Sequence, residues 1–253
     1  MSTTNCEDIK RTVRETYGKI AMEGGSGCDC GCAPSSSYSQ AERDRIPEGA
    51  DLGLGSGNPR KIADIQPGET VLDLGSGAGI DCFLAADAVG AGGLVIGIDM
   101  TPEMVSRARM NTRESGCSNV DFRLGEIENL PVADSSVDVI LSNCVINLSP
   151  DKASVYGEAF RVLKPGGRVA ISDIVITAEL PDEARGGLEQ YAACVSGAAS
   201  IHELKDILAQ TGFKDIRIQP GSREVDISHI WKPGSDISDY TVSATIEAVK
   251  PVD

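Results

Sequence analysis

The chain has 253 residues, and its 23 lysines and arginines against 38 aspartates and glutamates give a formal net charge of −15 at pH 7. This charge argues against nucleic-acid backbones and anionic membranes as partners, because both are negatively charged themselves. No stretch is apolar for long enough to span a bilayer, and residues 1–20 are too charged for a secretory signal. We therefore expect a soluble, cytoplasmic protein whose 8 cysteines are reduced thiols. We also expect a monomer, although none of these observations determines the oligomeric state.

The first part of the chain combines a helix with a thiol-bearing segment. Apolar residues recur on one face over residues 5–22, which predicts a helix, and two glycines end it. A segment rich in glycine and serine follows and carries Cys28, Cys30 and Cys32. Thiols at this spacing can wrap a soft, thiophilic ion, or they can lie in an exposed loop without a role, and the spacing leaves both open. A short helix opened by Pro59 is predicted next.

The stretch Val71–Gly79 is typical of a ligand site. Its first four residues predict a buried strand, which runs directly into a glycine-rich turn, and a helix starts at Ile80. Gly75 and Gly77, with Ser76 between them, let the backbone approach a ligand closely because glycine has no Cβ. Strand–turn–helix units of this kind bind nicotinamide cofactors, flavins, phosphates and S-adenosylmethionine.

Two carboxylates discriminate among these ligands. A second strand over residues 94–98 ends at Asp99, where a carboxylate can accept hydrogen bonds from ribose hydroxyls. Asp73 adds a negative charge beside the glycine turn, which would repel a pyrophosphate but suits a ligand with an ammonium and a sulfonium. The residues favour S-adenosylmethionine over a dinucleotide on this ground, while the alternative is that Asp73 only caps the turn.

Strands and helices alternate through the rest of the chain, which predicts a doubly wound, mostly parallel sheet. Further helices are predicted at 80–89, 102–114 with Thr101 as N-cap, 152–163, 181–197 and 201–210. Further strands are predicted at 120–124, 137–141, 168–172 after a turn at 165–167, 213–219 ended by Gly221, and 240–249. We expect the last of these strands to be antiparallel.

Two further cysteines lie beyond the predicted strands. Cys144 follows the fourth strand directly after Asn143, at the carboxyl edge of the sheet where ligands bind in such folds. Cys194 lies in the predicted helix over 181–197, which would cover this edge. Most cysteines outside disulfides are small buried apolar residues, which is how we interpret Cys82 and Cys117. For Cys144 its position and polar neighbours leave a functional role equally open.

Taken together, several segments resemble those of arsenite methyltransferases. They are Val13–Ala21, Val71–Gly79, Gly97–Pro102, Ser142–Lys152, Arg161–Gly167 and Ser172–Ile174. The glycine turn is shared by many methyltransferases. The run Ser-Asn-Cys-Val-Ile-Asn with a second cysteine about 50 residues later is much more specific to arsenic methylation.

The resemblance implies a class I methyltransferase fold: α/β, with a doubly wound, mostly parallel, seven-stranded Rossmann-like sheet and covering N-terminal and C-terminal segments. It divides the chain into a helix and cysteine-bearing cap (1–66), an S-adenosylmethionine-binding core (67–180), and a covering helix with the end of the sheet (181–253). The residues implied to bind the cofactor are Asp73, Gly75, Ser76, Gly77, Asp99, Met100, Glu126, Ile127 and Asn143.

The resemblance also implies that arsenite or methylarsenite is bound by Cys144 and Cys194, because trivalent arsenic is soft and prefers sulfur. Its lone pair would take up the methyl group without a general base, and a thiol would serve as reductant and co-substrate. Ser56 stands where the family has a third cysteine. Either Cys30 or a neighbouring thiol completes the site, or two protein thiols suffice, or the serine is an engineered replacement of similar shape.

Two other functions are consistent with the residues. The fold signals alone would suit methyl transfer to a small organic substrate. The cysteines at 28, 30 and 32 would suit a non-catalytic protein that sequesters arsenite.

Overall fold

The computed structural model describes residues 5–23, 37–178, 197–224 and 240–252. Cys28, Cys30, Cys32 and Cys194 lie outside these residues, as does all but the last residue of the predicted helix over 181–197. The helices are α1 (Cys6–Glu23), α2 (Gln40–Arg43), α3 (Arg60–Ala63), α4 (Ile80–Val89), α5 (Pro102–Ser115), α6 (Lys152–Val162) and α7 (Ile201–Thr211). The strands are β1 (Thr70–Leu74), β2 (Leu94–Asp99), β3 (Val120–Leu124), β4 (Val137–Asn143), β5 (Leu163–Ile176), β6 (Ala199–Ser200), β7 (Lys214–Glu224) and β8 (Thr241–Val249).

The strands form one sheet in the order β3-β2-β1-β4-β5-β8-β7, and the two-residue β6 pairs with β5. The strands from β3 to β5 run parallel, whereas β8 pairs antiparallel with both β5 and β7. This confirms the predicted doubly wound sheet of seven strands with an antiparallel last strand, to which β6 adds an eighth. The strand order reverses between β1 and β4, so the crevice at their carboxyl ends is the expected ligand position.

Successive side chains of a strand point to opposite faces of the sheet, and apolar clusters cover both faces here. On one face, Leu72 and Ile140 pack in a cluster with Leu208 of α7. On the other face, Val71 and Val139 pack in a cluster that includes α4. None of the helices in the described part of the chain is long and apolar enough to cross a membrane.

The structure corrects the predicted boundaries of two strands. Residues 165–167 are not a turn before β5 but an irregularity within it, between the pairs Val137–Leu163 and Val139–Arg168. Backbone hydrogen bonds of 2.8 Å from Gly166 N–H to the Lys250 carbonyl, and from Lys250 N–H to the Gly167 carbonyl, hold this segment against the end of β8. Similarly, β7 runs past Gly221 to Glu224 with a register shift after Pro220.

The amphipathic helix α1 lies across the carboxyl edge of the sheet. Ile9 and Val13 pack in a cluster with Cys144 and Leu148, and Ile20 packs against Leu52 in a second cluster. The helix therefore covers the crevice that the strand order creates.

Candidate functional site

A cleft of about 1080 Å³, including the part that is open to solvent, lies between α1 and the carboxyl ends of β1, β2 and β4. The structure brings nine of the sequence-predicted site residues together on its wall. They are Asp73, Gly75, Ser76, Gly77, Asp99, Met100, Ile127, Asn143 and Cys144.

The glycine turn at the end of β1 forms one wall of the cleft. Gly75 and Gly77 adopt the left-handed conformation, with φ of +67° and +52°. The N–H groups of Gly75 and Ser76 donate to the Ile98 carbonyl, at 2.7 and 2.9 Å, which fixes the turn on β2. A Cβ on Gly75 would overlap the side chain of Val145. The site therefore requires glycine at this position, for both its φ and its lack of a side chain.

Two of the predicted carboxylates are fixed by hydrogen bonds. Asp99 accepts from Gly77 N–H on Oδ2 at 2.9 Å and from Thr101 N–H on Oδ1 at 2.8 Å. A carboxylate has about four lone-pair sites, and those that these bonds leave free can accept from a ribose hydroxyl. Asp73 accepts from the Cys82 thiol at 3.3 Å. Thr101 starts α5 as predicted, but its side chain does not cap the helix.

Burial makes these carboxylates costly to ionise. It raises the pKa of Asp99, and it raises that of Asp73 well above its ordinary value, with the nearby charge of Asp81 adding to the effect. Burial raises the pKa of Asp81 as well. A cationic ligand would offset the repulsion among these groups, since opposite charges favour the ionised form.

Asp81 is a site residue that the sequence analysis missed. It lines the cleft and is 3% exposed. Its Oδ2 accepts from the Tyr38 hydroxyl at 2.7 Å and from the Asn143 amide at 3.4 Å. The signal in the sequence was an aspartate in the first turn of α4, among the apolar residues of a helix expected to pack on the sheet, where an unpaired charge would be unfavourable.

Asn143 joins the cleft to the loop of residues 54–58. Its Oδ1 accepts from the N–H groups of Ser56 and Gly57, at 3.1 and 3.3 Å, and its Nδ2 donates to the Gly57 carbonyl at 2.8 Å. Gly55 lines the cleft, whereas Ser56 does not. The buried Ser56 Oγ has no hydrogen-bond partner within the described residues.

Glu126, which the resemblance assigns to the cofactor site, is not on the cleft wall. Lys10 of α1 donates to Glu126 at 2.8 Å, and Arg14 does so at 3.4 Å, so this carboxylate faces the helix and does not line the cleft. Glu128 lines the cleft instead, 3.4 Å from Lys10 and accepting from the Ser149 hydroxyl at 2.6 Å. Lys10 also lines the cleft and was missed, because a lysine on an amphipathic helix carries no specific signal.

Cys144 lies on the cleft wall in a strained conformation. Its φ is +60°, which costs a residue other than glycine roughly 1–3 kcal/mol. Its N–H donates to the Ser172 carbonyl at 2.8 Å. The residue is 5% exposed and packs in an apolar cluster with Val13 and Leu148. Backbone strain held in place by surrounding structure is typical of functional positions.

Of the three predicted arsenic ligands, the structure describes Cys144. Cys194 and Cys30 lie outside the described residues. Among the residues that the structure does describe, no group of three His, Cys, Asp or Glu side chains is arranged to hold a metal ion. Cys82 and Cys117 do not line the cleft, although the Cys82 thiol lies directly behind its wall, in contact with Asp73.

Comparison with known proteins identifies the family. A family described as "Methyltransferase domain" matches residues 65–212. An arsenite methyltransferase of Halobacterium salinarum is 48% identical over 97% of this chain and 67% of its own length. The chain belongs to the arsenite methyltransferase family. The human arsenite methyltransferase is 35% identical over 81% of this chain and 58% of its own length, so the chain spans about two thirds or less of these relatives.

The fold agrees with that of a solved arsenite methyltransferase. The crystal structure of an arsenic (III) S-adenosylmethionine methyltransferase from Chlamydomonas reinhardtii matches with a TM-score of 0.68 and 33% identity, over 90% of this chain and 75% of the other. The methyl donor of this family is S-adenosylmethionine. The residues present fit this donor, because its ammonium and sulfonium are cations and its methionine part needs a close backbone approach. The cleft offers both, through its buried carboxylates and its glycine turn.

Proposed function

We propose that this chain transfers a methyl group from S-adenosylmethionine to trivalent arsenic held by cysteine thiolates, with Cys144 as one of the ligands. The observation that carries the proposal is the position of Cys144, on the wall of the cleft that the glycine turn and Asp99 also line. A thiol ligand and a methyl-donor site thus share one cavity.

The residues around the glycine turn would hold the donor. Gly75 and Gly77 give the methionine part room, Asp73 supplies negative charge beside it, and Asp99 offers lone pairs to the ribose hydroxyls. Met100 and Ile127 offer apolar surface for the adenine. When bound, S-adenosylmethionine supplies an electrophilic methyl group on a sulfonium.

The acceptor side needs soft ligands and no proton transfer. Sulfur ligation leaves trivalent arsenic a lone pair, and the attacking atom carries no proton, so a general base is unnecessary. The apolar cluster around Cys144 and the cover of α1 keep water away from the reacting atoms. Holding the two reactants in one geometry can lower the barrier by roughly 10 kcal/mol at most.

The remaining ligands follow from the family resemblance. Cys194 is proposed as the second thiolate, and Cys30 as the thiol that replaces the family cysteine at Ser56. A small thiol is proposed as reductant and co-substrate. Cys6, Cys82, Cys117 and Cys144 form no disulfide, which together with a net charge of −15 supports a cytoplasmic location without nucleic-acid or membrane partners. We propose a monomer.

The experiment is methyl transfer from labelled S-adenosylmethionine to arsenite and, separately, to methylarsenite with a reduced thiol present. We expect activity in the parent chain and loss of it in Cys144→Ser, with donor binding retained. Cys117→Ser is the matched control, because Cys117 does not line the cleft, and it should leave activity unchanged. Full activity in Cys144→Ser would refute the proposal.

The variant Ser56→Cys tests how the site is completed. Activity of both parent and variant on arsenite would support Cys30 or an added thiol as the third ligand. Activity of the variant alone on arsenite, with the parent active on methylarsenite, would show that two protein thiols limit the parent to an acceptor that is already methylated. Inactivity of both on either acceptor, with donor binding intact, would favour an organic substrate.

A further inference from the structure

A buried hydrogen-bond junction, formed by Tyr38, Asp81 and Asn143, lies behind the cleft. The Tyr38 hydroxyl donates to Asp81 Oδ2 at 2.7 Å and accepts from Asn143 Nδ2 at 2.9 Å. Tyr38 is 4% exposed and does not line the cleft, so it is not placed to contact a ligand there. Burial and the charge of Asp81 raise the pKa of Tyr38, which keeps its hydroxyl protonated as a donor.

The junction connects two parts of the proposed active site. Asp81 belongs to α4, directly after the glycine turn. Asn143 ends β4, immediately before Cys144, and its amide holds Ser56 and Gly57 through three hydrogen bonds of 2.8–3.3 Å. The Tyr38 hydroxyl thus orients a side chain that holds the loop of residues 54–58 through three hydrogen bonds and that directly precedes Cys144.

Packing leaves this loop little tolerance for movement. A Cβ on Gly55 would lie 2.9 Å from the Asn143 amide, and one on Gly57 would overlap the Ser172 side chain. The Ser243 hydroxyl donates to the Ser56 carbonyl at 3.3 Å from the other side. A small rotation of the Asn143 amide would therefore move the loop backbone as a whole.

We infer that Tyr38 is a positioning residue for methyl transfer, whose hydroxyl fixes the Asn143 amide and so holds the loop of residues 54–58 in register with Cys144. The inference rests on the proposed function, because it assigns this loop to the acceptor side of the site. Without the hydroxyl, Asn143 Nδ2 keeps a 3.4 Å contact with Asp81 Oδ2 and turns towards it, away from the Gly57 carbonyl.

The variant Tyr38→Phe removes the hydroxyl and keeps the ring. Asn143 then loses its hydrogen bond to the hydroxyl, a bond between two neutral groups, so the loop should open up to about tenfold more often. The first measurement is hydrogen exchange at the amides of Ser56 and Gly57, which we expect to accelerate up to about tenfold. The second is the Michaelis constant for the arsenical, expected to rise up to about tenfold, while the dissociation constant of S-adenosylhomocysteine stays within about twofold of the parent value.

The matched control is Tyr156→Phe. Tyr156 is 1% exposed, and its hydroxyl has no hydrogen-bond partner among the described residues. This variant deletes the same atom from the same residue type in the core, and it should leave both the exchange of the loop and the Michaelis constants unchanged. It thereby separates the effect of the junction from that of deleting any buried hydroxyl.

Unchanged exchange at Ser56 and Gly57 in Tyr38→Phe would overturn the inference, as would a weakened affinity for S-adenosylhomocysteine with an unchanged constant for the arsenical. If Tyr38→Phe does not fold, Asp81→Asn replaces it, since this variant keeps an acceptor for the hydroxyl but weakens the bond. Exchange at the two amides should then rise about threefold, and no rise would overturn the inference. A parent chain that methylates no arsenical would refute the proposed function, whereas the exchange measurement still decides on the junction.

Discussion

Asp173 makes the stability of this protein increase on mild acidification. The residue is 2% exposed, and its carboxylate accepts from the N–H groups of Ile174 and Asn147, at 2.9 and 3.2 Å. Burial is the largest effect and outweighs these bonds, so the pKa of Asp173 is raised from 3.8 to about 6. The folded protein therefore holds this proton more tightly than the unfolded chain does.

The sign and size of the effect follow from this difference. A carboxyl group whose pKa is raised by folding contributes stability that is present below pH 3.8 and is lost as the pH rises through 6. With about 1.36 kcal/mol per pKa unit, the loss at pH 7 is about 3 kcal/mol, of which about 1 kcal/mol returns between pH 7 and pH 5. Groups such as Glu42, whose pKa of about 2 is lowered by its hydrogen bonds, act in the opposite direction below this window.

The assay is urea unfolding at pH 7 and pH 5 at constant ionic strength, for the parent and for Asp173→Asn. The parent should gain stability on going to pH 5, and the gain should be about 1 kcal/mol smaller in the variant. Comparing the two proteins removes the contributions of Asp73, Asp81 and Asp99, which have the same sign. An equal gain in both proteins would refute the assignment of the raised pKa to Asp173.

Three further outcomes are expected. Gly75→Ala should abolish donor binding because the new Cβ overlaps Val145. Gly53 has a similar φ of +70° but open space around it, so Gly53→Ala should lose about 1 kcal/mol of stability and keep donor binding. Equal effects of the two variants in isothermal titration would contradict this role of the glycine turn. Lys10→Met should weaken the binding of S-adenosylhomocysteine about threefold, because α1 loses its ion pair with Glu126. Arg11→Met removes an exposed ion pair on the same helix and should leave the binding unchanged. Equal dissociation constants for the two variants would exclude this role for Lys10. Raising the salt concentration from about 0.1 to 1 M shortens the screening length to about 3 Å. Because the chain has a net charge of −15, weaker self-repulsion should raise its melting temperature. A constant melting temperature would show that self-repulsion is unimportant.

Local patterns were enough to predict the elements that place the cofactor. The helix bounds at α4 and α5 and the strand at β3 agree with the sequence analysis to within one residue. The positions of Asp73 and Asp99 on the cleft follow from the same patterns, because parallel strands bring their carboxyl ends to one edge. Each of these features depends on neighbours in the sequence and on strand order.

Features that depend on distant contacts could not be predicted. A Pro-Gly-Gly run is a turn by local rules, yet here Lys250 supplies the hydrogen bonds that keep it inside β5. Glu126 and Glu128 are equivalent in the sequence and Lys10 of α1 contacts both, so only the folded structure shows that Glu128 is the one on the cleft wall. Tyr38 gave no signal, because its partners Asp81 and Asn143 are distant from it in the chain.

The place of β8 in the sheet has a consequence for how the protein is made. β7 lies at one end of the sheet and pairs with β8, which also closes the side of β5 and meets the Pro-Gly-Gly segment. A ribosome produces β5 and β7 first, so both wait with exposed hydrogen-bonding edges until β8 emerges between them. Strands β1 to β4, which carry the glycine turn and lead to Cys144, are synthesised before β8 emerges. Synthesis therefore passes through a stage in which the cofactor strands are complete while two open edges are available for pairing with another chain.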